Sequence, residues 1–333
     1  MILAAGLGTR LRPITDQVPK PLCPVGNVPV LGRHLDALAA VGVQRVVVNA
    51  SHLAAQIERF VGSGSDWGLE VIVSPEREPA GTGGGIARAR PWLQDEEEFL
   101  VVNADVVHGY DLRAIAARRR ASDADAVAVI RRTGARFPSA LGVDDTGRVV
   151  YVPGLGAPAG EPVDFAGIHV LTPVIFEHLQ PTGSIFVDGY APLSRSGGLI
   201  VAYEDRGAPW FDVGSPAGLL RANIAAARAD QRPPPRANIA AARADHRPPP
   251  RATRNAHADI TPPVLIAGDA ILAPDCAIGP DVVIGSAARI GAGARLVRSV
   301  IWPATEVPAA ATLDGAIAYP GGVLVADELR PPS

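Results

Sequence analysis

Met1-Ile2-Leu3-Ala4-Ala5-Gly6-Leu7-Gly8-Thr9-Arg10-Leu11-Arg12-Pro13-Ile14-Thr15-Asp16-Gln17-Val18-Pro19-Lys20-Pro21-Leu22 opens the chain. A short apolar run breaks into a Gly-x-Gly turn, as a buried parallel strand does where it passes into a loop. Glycines at such a turn let backbone N–H groups approach an anion closely, and Thr9, Arg10 and Lys20 add further donors. Two familiar phosphate loops are excluded. There is no G-x-x-x-x-G-K-[ST], and Leu11 stands where a dinucleotide fingerprint needs its third glycine. Of 31 lysines plus arginines, 30 are arginine and the remaining one is Lys20. In a chain that otherwise uses arginine, an ammonium between two prolines points to a position needing a compact charge rather than a planar fork. A tight turn with surface charges is the alternative reading.

Beyond this stretch, apolar periodicity alternates. Residues 31 to 42 have helical spacing and stop at Gly42, and Val43 to Asn49 reads as a second buried strand. Residues 52 to 60 return to helix and 69 to 73 to strand. This alternation predicts a doubly wound α/β sheet, in which ligands collect beyond the carboxyl ends of the strands. At one such end, Glu76 to Gly85 includes four glycines in five residues and is expected to be a loop feeding a helix from Ile86. It suits close backbone approach to a ligand, or simple flexibility. The strand Phe99 to Val102 delivers Asn103-Ala104-Asp105 at its end, where a carboxylate suits Mg²⁺ or a plain turn. Asp212 precedes a helix start at Ser215-Pro216 and is a second candidate metal ligand.

Residues 221 to 235 and 236 to 250 are the same fifteen-residue segment twice, differing only at Gln231 and His246. Each copy ends in three prolines, which read as stiff spacers. Beyond them the period becomes six. Ile260, Ile266, Leu272, Ile278, Ile284, Ile290 and Leu296 recur without a miss, and a one-residue slip restarts the series at Ile301, Val307 and Leu313. That is a hexapeptide parallel β-helix of about three coils. The expected domains are residues 1 to 220, a duplicated linker over 221 to 258, and a β-helix over 259 to 325.

The chain's 333 residues, 47% hydrophobic and 20% charged, carry a formal charge of -3, which leaves no basic footprint for nucleic acid. Cys23 and Cys276 form no C-x-x-C pair, so neither a disulfide framework nor a zinc site is expected. No run long enough to cross a membrane and no basic leader occur, and a cytosolic protein with no membrane partner is the simplest expectation. Because Met1 opens directly into an apparent strand, the start is expected to be trimmed or misassigned.

The opening stretch is similar to the signature G-x-G-T-R-L-x-P-x-T-x-x-x-P-K-P of sugar-1-phosphate nucleotidylyltransferases, matched at Gly6, Gly8, Thr9, Arg10, Leu11, Pro13, Thr15, Pro19, Lys20 and Pro21. The resemblance extends through Glu78 to Gly84, Asn103-Ala104-Asp105, Phe165 to Ile168 and Trp210 to Gly214. It implies a doubly wound mixed sheet of Rossmann-like nucleotidyltransferase type, followed by a short left-handed β-helix. It also implies that a sugar 1-phosphate attacks the α-phosphorus of an NTP. Such a nucleophile is already ionised near neutral pH, so no general base is required, and catalysis is positioning plus charge neutralisation.

By resemblance, Ala4, Ala5, Gly6, Gly8 and Thr9 cradle the nucleotide, while Glu76, Gly81 and Thr82 face its base. Arg10 holds the departing pyrophosphate and Lys20 lies between the attacking and α-phosphates. Asp105 and Asp212 hold Mg²⁺, and Gly142, Glu161 and Gly167 meet the sugar. Two departures stand out: Ala104 replaces a common glycine, and Glu161-Pro162 lacks the lysine of a common Glu-Lys-Pro element. The β-helix tail resembles that of mannose-1-phosphate guanylyltransferases and implies GTP and mannose 1-phosphate. The glycine-rich loop and missing lysine resemble uridylyltransferases acting on N-acetylmuramate 1-phosphate. An inactive regulatory subunit predicts loss of Arg10, Lys20 or an aspartate, and all are present. A hexapeptide acyltransferase needs a histidine near the coils, yet none comes after His257. The β-helix is therefore expected to be a regulatory surface or a contact for a homo-oligomer.

Overall fold

The computed structural model describes residues 1–134, 136, 139–230 and 258–325. They group into two units: Met1–Leu7 with His34–Trp210, and Gly8–Arg33 with the described residues from Phe211 onward.

The first unit is built on a mixed sheet. Its strands are β1 (Ile2–Leu3), β2 (Arg45–Ala50), β3 (Glu70–Pro75), β4 (Phe99–Asn103), β5 (Ala126–Arg131), β6 (Leu141–Val143), β7 (Val149–Tyr151), β8 (Glu161–Leu171) and β9 (Ile200–Tyr203). The spatial order is β7-β6-β8-β4-β1-β2-β3, with β5 pairing β8 and β9. β4, β1, β2 and β3 are mutually parallel, whereas β8 runs antiparallel to β4, β5 and β6. Val46, Val47 and Val48 are fully buried, as a run covered on both faces requires. α1 (Val30–Ala40) buries Leu35 and Leu38 at helical spacing, and α2 (Ala54–Val61) buries Ile57 and Val61.

One expectation is corrected here. The glycine run is not a loop ahead of Ile86 but the first turns of a helix, α3 (Gly81–Arg88). Glycine is a poor helix former, so tertiary packing supplies the reason. A Cβ on Gly81 would lie 2.3 Å from the Gly183 carbonyl oxygen, and one on Gly84 would lie 2.6 Å from that of Pro181. The helix is glycine-rich because the chain's own segment 181–185 runs against it. α4 (Leu112–Ser122) starts on an aspartate cap, with Asp111 Oδ1 accepting from the N–H groups of Arg113 and Ala114.

In the second unit, α5 (Pro216–Asp230) takes in the first ten residues of the first repeat copy. Residues 231–257, which hold the rest of the expected linker except Ala258, lie outside the described residues. The β-helix comes next, with the period read from the sequence. Ile260 pairs with Ile278, Ile278 with Leu296 and Leu296 with Leu313 on one face. Ile266, Ile284 and Ile301 align on the second, and Leu272, Ile290 and Val307 on the third. Three hexads therefore make one coil. The slip shortens the connection between Leu296 and Ile301 by one residue, and the inward stack continues in register, with Ile284 beside Ile301 and Leu296 beside Leu313. Cys276, expected to stay unpaired, is buried in that stack as a free thiol, and Cys23 is likewise free and buried. Among the described residues, no helix is long and apolar enough to cross a membrane.

Candidate active site

In the first unit, four parallel strands end along one edge of the sheet. Leu3 of β1 is level with Asn49 of β2 and Asn103 of β4, so Ala4 and Ala5, the end of β2, Glu76 after β3 and Asp105 after β4 share that edge. A buried polar chain ties three of these ends together. The Ala4 N–H donates to Asn49 Oδ1 at 2.7 Å, and Asn49 Nδ2 donates to Glu76 Oε1 at 2.8 Å. Glu76 Oε2 accepts from the Ala80 N–H at 2.8 Å, at the mouth of α3. Asn49 and Glu76 are 2% and 5% exposed, so breaking this chain leaves polar groups stranded. Gly85 is glycine for the same reason, since a Cβ there would lie 2.6 Å from Asn49 Nδ2.

Both carboxylate oxygens of Glu76 thus face the protein, and Glu76 braces the loop after β1. No motif in the sequence marks Asn49; its one local signal is a lone amide closing the Val46-Val47-Val48 run. Thr82 is also engaged internally, its hydroxyl accepting from the Ile185 N–H at 2.9 Å, while Gly81 takes φ +80° against Gly183.

Asp105 sits in the turn after β4, half-buried, and the Ala104 N–H donates to the Leu3 carbonyl at 2.9 Å. Ala104 is buried and keeps negative φ, so its methyl is accommodated without backbone strain. Gly167 interrupts β8 at φ +84° with Asn103 and Val106 against it, which brings this predicted sugar residue beside the Asp105 turn. The neighbouring Ala166 carbonyl accepts from Trp210 Nε1 at 2.8 Å, and the Arg131 guanidinium lies 4.1 Å over the Trp210 ring. Gly142 and Glu161 lie further along, with Pro162 opposite Gly142. A Cβ on Gly142 would lie 1.8 Å from the Ala159 carbonyl oxygen, and Glu161 is ion-paired with Arg132.

The second unit holds the charged part of the signature. Gly8 turns at φ 66°, and the Thr15 hydroxyl donates back to its carbonyl at 2.8 Å. Thr9 opens a 3-10 turn over Thr9–Leu11, anchored by fully buried Leu11 and Ile14. A Cβ on Gly8 would lie 3.4 Å from the Cβ of Lys20, so the loop folds until its two ends meet. Arg10 Nη1 lies 3.4 Å from Asp212 Oδ2, with both side chains well exposed. Asp212 Oδ1 accepts from the Gly214 N–H at 2.7 Å. A Cβ on Gly214 would lie 2.5 Å from Arg10 Nη2 and 2.8 Å from Asp212 Oδ1, so a side chain there would displace the ends of both.

Among the described residues, no three His, Cys, Asp or Glu side chains form a metal cage. Mg²⁺ needs none, since it takes one or two carboxylates and fills its shell with water and phosphate oxygens. Each unit offers hard oxygen of that kind. In the first, Asp105 follows Asn103, whose Oδ1 is buried without a hydrogen-bond partner; in the second, Asp212 presents a well-exposed carboxylate.

Residues 1–229 match the family model for nucleotidyl transferase, and residues 260–319 match the GMPPB C-terminal domain. A mannose-1-phosphate guanyltransferase of Schizosaccharomyces pombe is 31% identical over 232 residues, covering 66% of this chain and 62% of that protein. An N-acetylmuramate alpha-1-phosphate uridylyltransferase of Neisseria meningitidis is 48% identical over 117 residues, 34% of this chain and 49% of that protein. The crystal structure of HddC from Yersinia pseudotuberculosis complexed with GMP-PN aligns at TM-score 0.55 and 26% identity, covering 67% of this chain and 96% of that one. The chain spans less than two thirds of the length of these curated relatives.

Proposed function

Because the chain belongs to the nucleotidyl transferase family, we propose that it condenses a nucleoside triphosphate with a sugar 1-phosphate, with GTP and mannose 1-phosphate as its substrates. A phosphate oxygen of the sugar phosphate bonds to the α-phosphorus, the bond from that phosphorus to the bridging oxygen breaks, and pyrophosphate leaves. The observation that carries this reading is the arrangement of the second unit. A lysine, an arginine and a carboxylate are held by tight glycine turns, and a reaction that needs no base asks only for charges at fixed positions.

Lys20 offsets charge between the attacking phosphate and the α-phosphate, and Arg10 receives the pyrophosphate. Gly8 and Thr9 present backbone to the nucleotide, along with Ala4, Ala5 and Gly6. Before substrate binds, Asp212 keeps Arg10 aimed, and the exposed pair is loose enough to exchange partners when phosphate arrives. Asp105 and Asp212 are the carboxylates for Mg²⁺, which when bound neutralises phosphate charge. Glu76 and Thr82 act as positioning residues for the nucleotide loops, while Gly142, Glu161 and Gly167 take the sugar. The reading further takes the enzyme to be cytosolic and the β-helix to be a surface for self-association.

GTP and mannose 1-phosphate are favoured by the match of the C-terminal domain and by a mannose-1-phosphate guanyltransferase relative matched over 66% of this chain. HddC, crystallised with GMP-PN, supports a guanine nucleotide. Uridyl transfer to an N-acetylated hexose 1-phosphate is the second reading, favoured by the higher identity of the shorter match. Pyrophosphate release from a panel of NTPs and sugar 1-phosphates with Mg²⁺ tests both. GTP with mannose 1-phosphate is expected to be the best pair. Preference for UTP with an N-acetylated sugar selects the second reading, and no release from any pair refutes both.

A further inference from the structure

We propose that Asn27 and Asn223 are positioning residues for Lys20, tying the turn that carries it to the β-helix; this rests on the role given to Lys20 above. Lys20–Leu22 is a single 3-10 turn with little internal bonding, so the segment C-terminal to it sets its place. That segment is a small hairpin, Pro24–Val25 against Val28–Pro29, whose loop is Gly26-Asn27. Both loop residues have positive φ, 56° and 65°. This is the twist a two-residue hairpin loop needs, and glycine meets it most easily at either position.

Asparagine at the second position has its amide in use. Asn27 Nδ2 donates to the Ile284 carbonyl of the β-helix at 3.0 Å. Asn223 of α5 holds the other side of the loop. Fully buried, it accepts from the Gly26 N–H at 2.9 Å and donates to the Pro24 and Leu219 carbonyls at 3.1 and 3.0 Å. α5 is itself fixed to the β-helix, because Arg228 donates to both oxygens of Asp281 at 2.8 and 2.7 Å, a fork-to-fork pair.

The hairpin is therefore held on two sides by parts that are locked to each other. α5 also begins directly after Asp212-Val213-Gly214-Ser215, so one framework places Lys20 and Asp212. A lysine has a flexible four-carbon stem, and a rigid root is what turns it into a positioned charge. Cys23, three residues beyond Lys20, reports on this root. It is fully buried, and burial pushes its thiol up to about 12, partly opposed by the Lys20 charge.

The test uses the full chain and Asn27→Gly, which keeps the loop conformation and removes only the bond to Ile284. Asp314→Asn, which breaks an exposed ion pair with Arg298 within the β-helix, is the control. Asn27→Gly is expected to lower kcat about 10-fold and to leave KM for each substrate within about two-fold. Alkylation of Cys23 by a neutral maleimide, read by peptide mass, is expected to speed up about 10-fold as the root loosens, while Cys276 stays protected. Asp314→Asn should change neither. Wild-type labelling of Cys23 in Asn27→Gly overturns the brace, and faster labelling with wild-type kcat overturns its service to Lys20. Asn223→Ala is expected to act in the same direction. Labelling of both cysteines together in that variant signals unfolding, and Asn27→Gly then decides. If the wild-type protein turns over no substrate pair, the assigned reaction falls, and the Cys23 arm still judges the brace.

Discussion

The glycines around Arg10 and Lys20 and those of Gly81 to Gly85 look alike in sequence but make room for different things. Gly214 is pressed by the ends of Arg10 and Asp212, and Gly8 by the Thr15 methyl beside Lys20. Gly81 and Gly84 are pressed by backbone carbonyls of Gly183 and Pro181. In the first case the missing Cβ sets the aim of charged groups that can move a little; in the second it lets a helix and a loop pack at a distance no side chain permits. A glycine-rich stretch thus says that something comes close, and only the neighbour says whether this serves chemistry or packing.

The strongest test of this contrast is Lys20→Arg, which keeps the charge and changes its shape. It is expected to lower kcat about 100-fold in the pyrophosphate-release assay, with an unchanged melting temperature. Wild-type turnover would remove Lys20 from the reaction. Next, Gly84→Ala drives a methyl against rigid backbone and should cost about 1–3 kcal/mol in a urea unfolding titration, with specific activity retained by the folded fraction. Unchanged stability would erase the packing half of the comparison.

Gly214→Ala inverts that pattern, because the atoms it meets are the ends of the exposed Arg10 and Asp212 side chains, which can shift aside. Stability should change by less than about 0.5 kcal/mol, while kcat/KM falls about 10-fold as the Arg10–Asp212 geometry is lost. Loss of stability without loss of activity would make Gly214 a packing glycine like Gly84.

The smallest expected effect concerns the packed region alone. Burial pushes His169 down to about 3, and its Nδ1 lies 2.6 Å from the Tyr190 hydroxyl. The unfolded chain therefore binds a proton that the folded chain refuses. Stability is full above the ordinary histidine value of 6.5 and declines as the pH falls from there toward 3. One pH unit below 6.5 the loss from this residue is about 1 kcal/mol. His169→Asn, which keeps an acceptor toward Tyr190 but does not titrate, should flatten that decline in melting temperature against pH; an identical slope would show that other groups control it.

Much of the fold is legible in the sequence because regular structure imposes short repeats. The hexad series from Ile260 to Leu296 encodes three faces and the eighteen-residue coil, since each inward side chain stacks on its counterpart one coil away. The alternation around Val46–Val48 and Leu35–Leu38 encodes strand and helix for the same local reason. Gly81 to Gly85 defies that logic, because helix propensity argues for a loop and the decisive partner stands at residues 181–185. Asn49 escapes sequence reasoning because a lone amide acquires meaning only beside Ala4 and Glu76, which no spacing rule connects.

Residue type and local period were enough to read the two architectures and to single out Arg10, Lys20, Asp105 and Asp212 as candidates. Only the folded chain decided which glycines face charged side chains, that Glu76 turns inward, that Arg10 meets Asp212 across Gly214, and that Asn27 reaches the β-helix. Those outcomes depend on contacts between residues far apart in the chain, where a few tenths of an ångström separate a fit from a clash and local sequence carries no record of the distance.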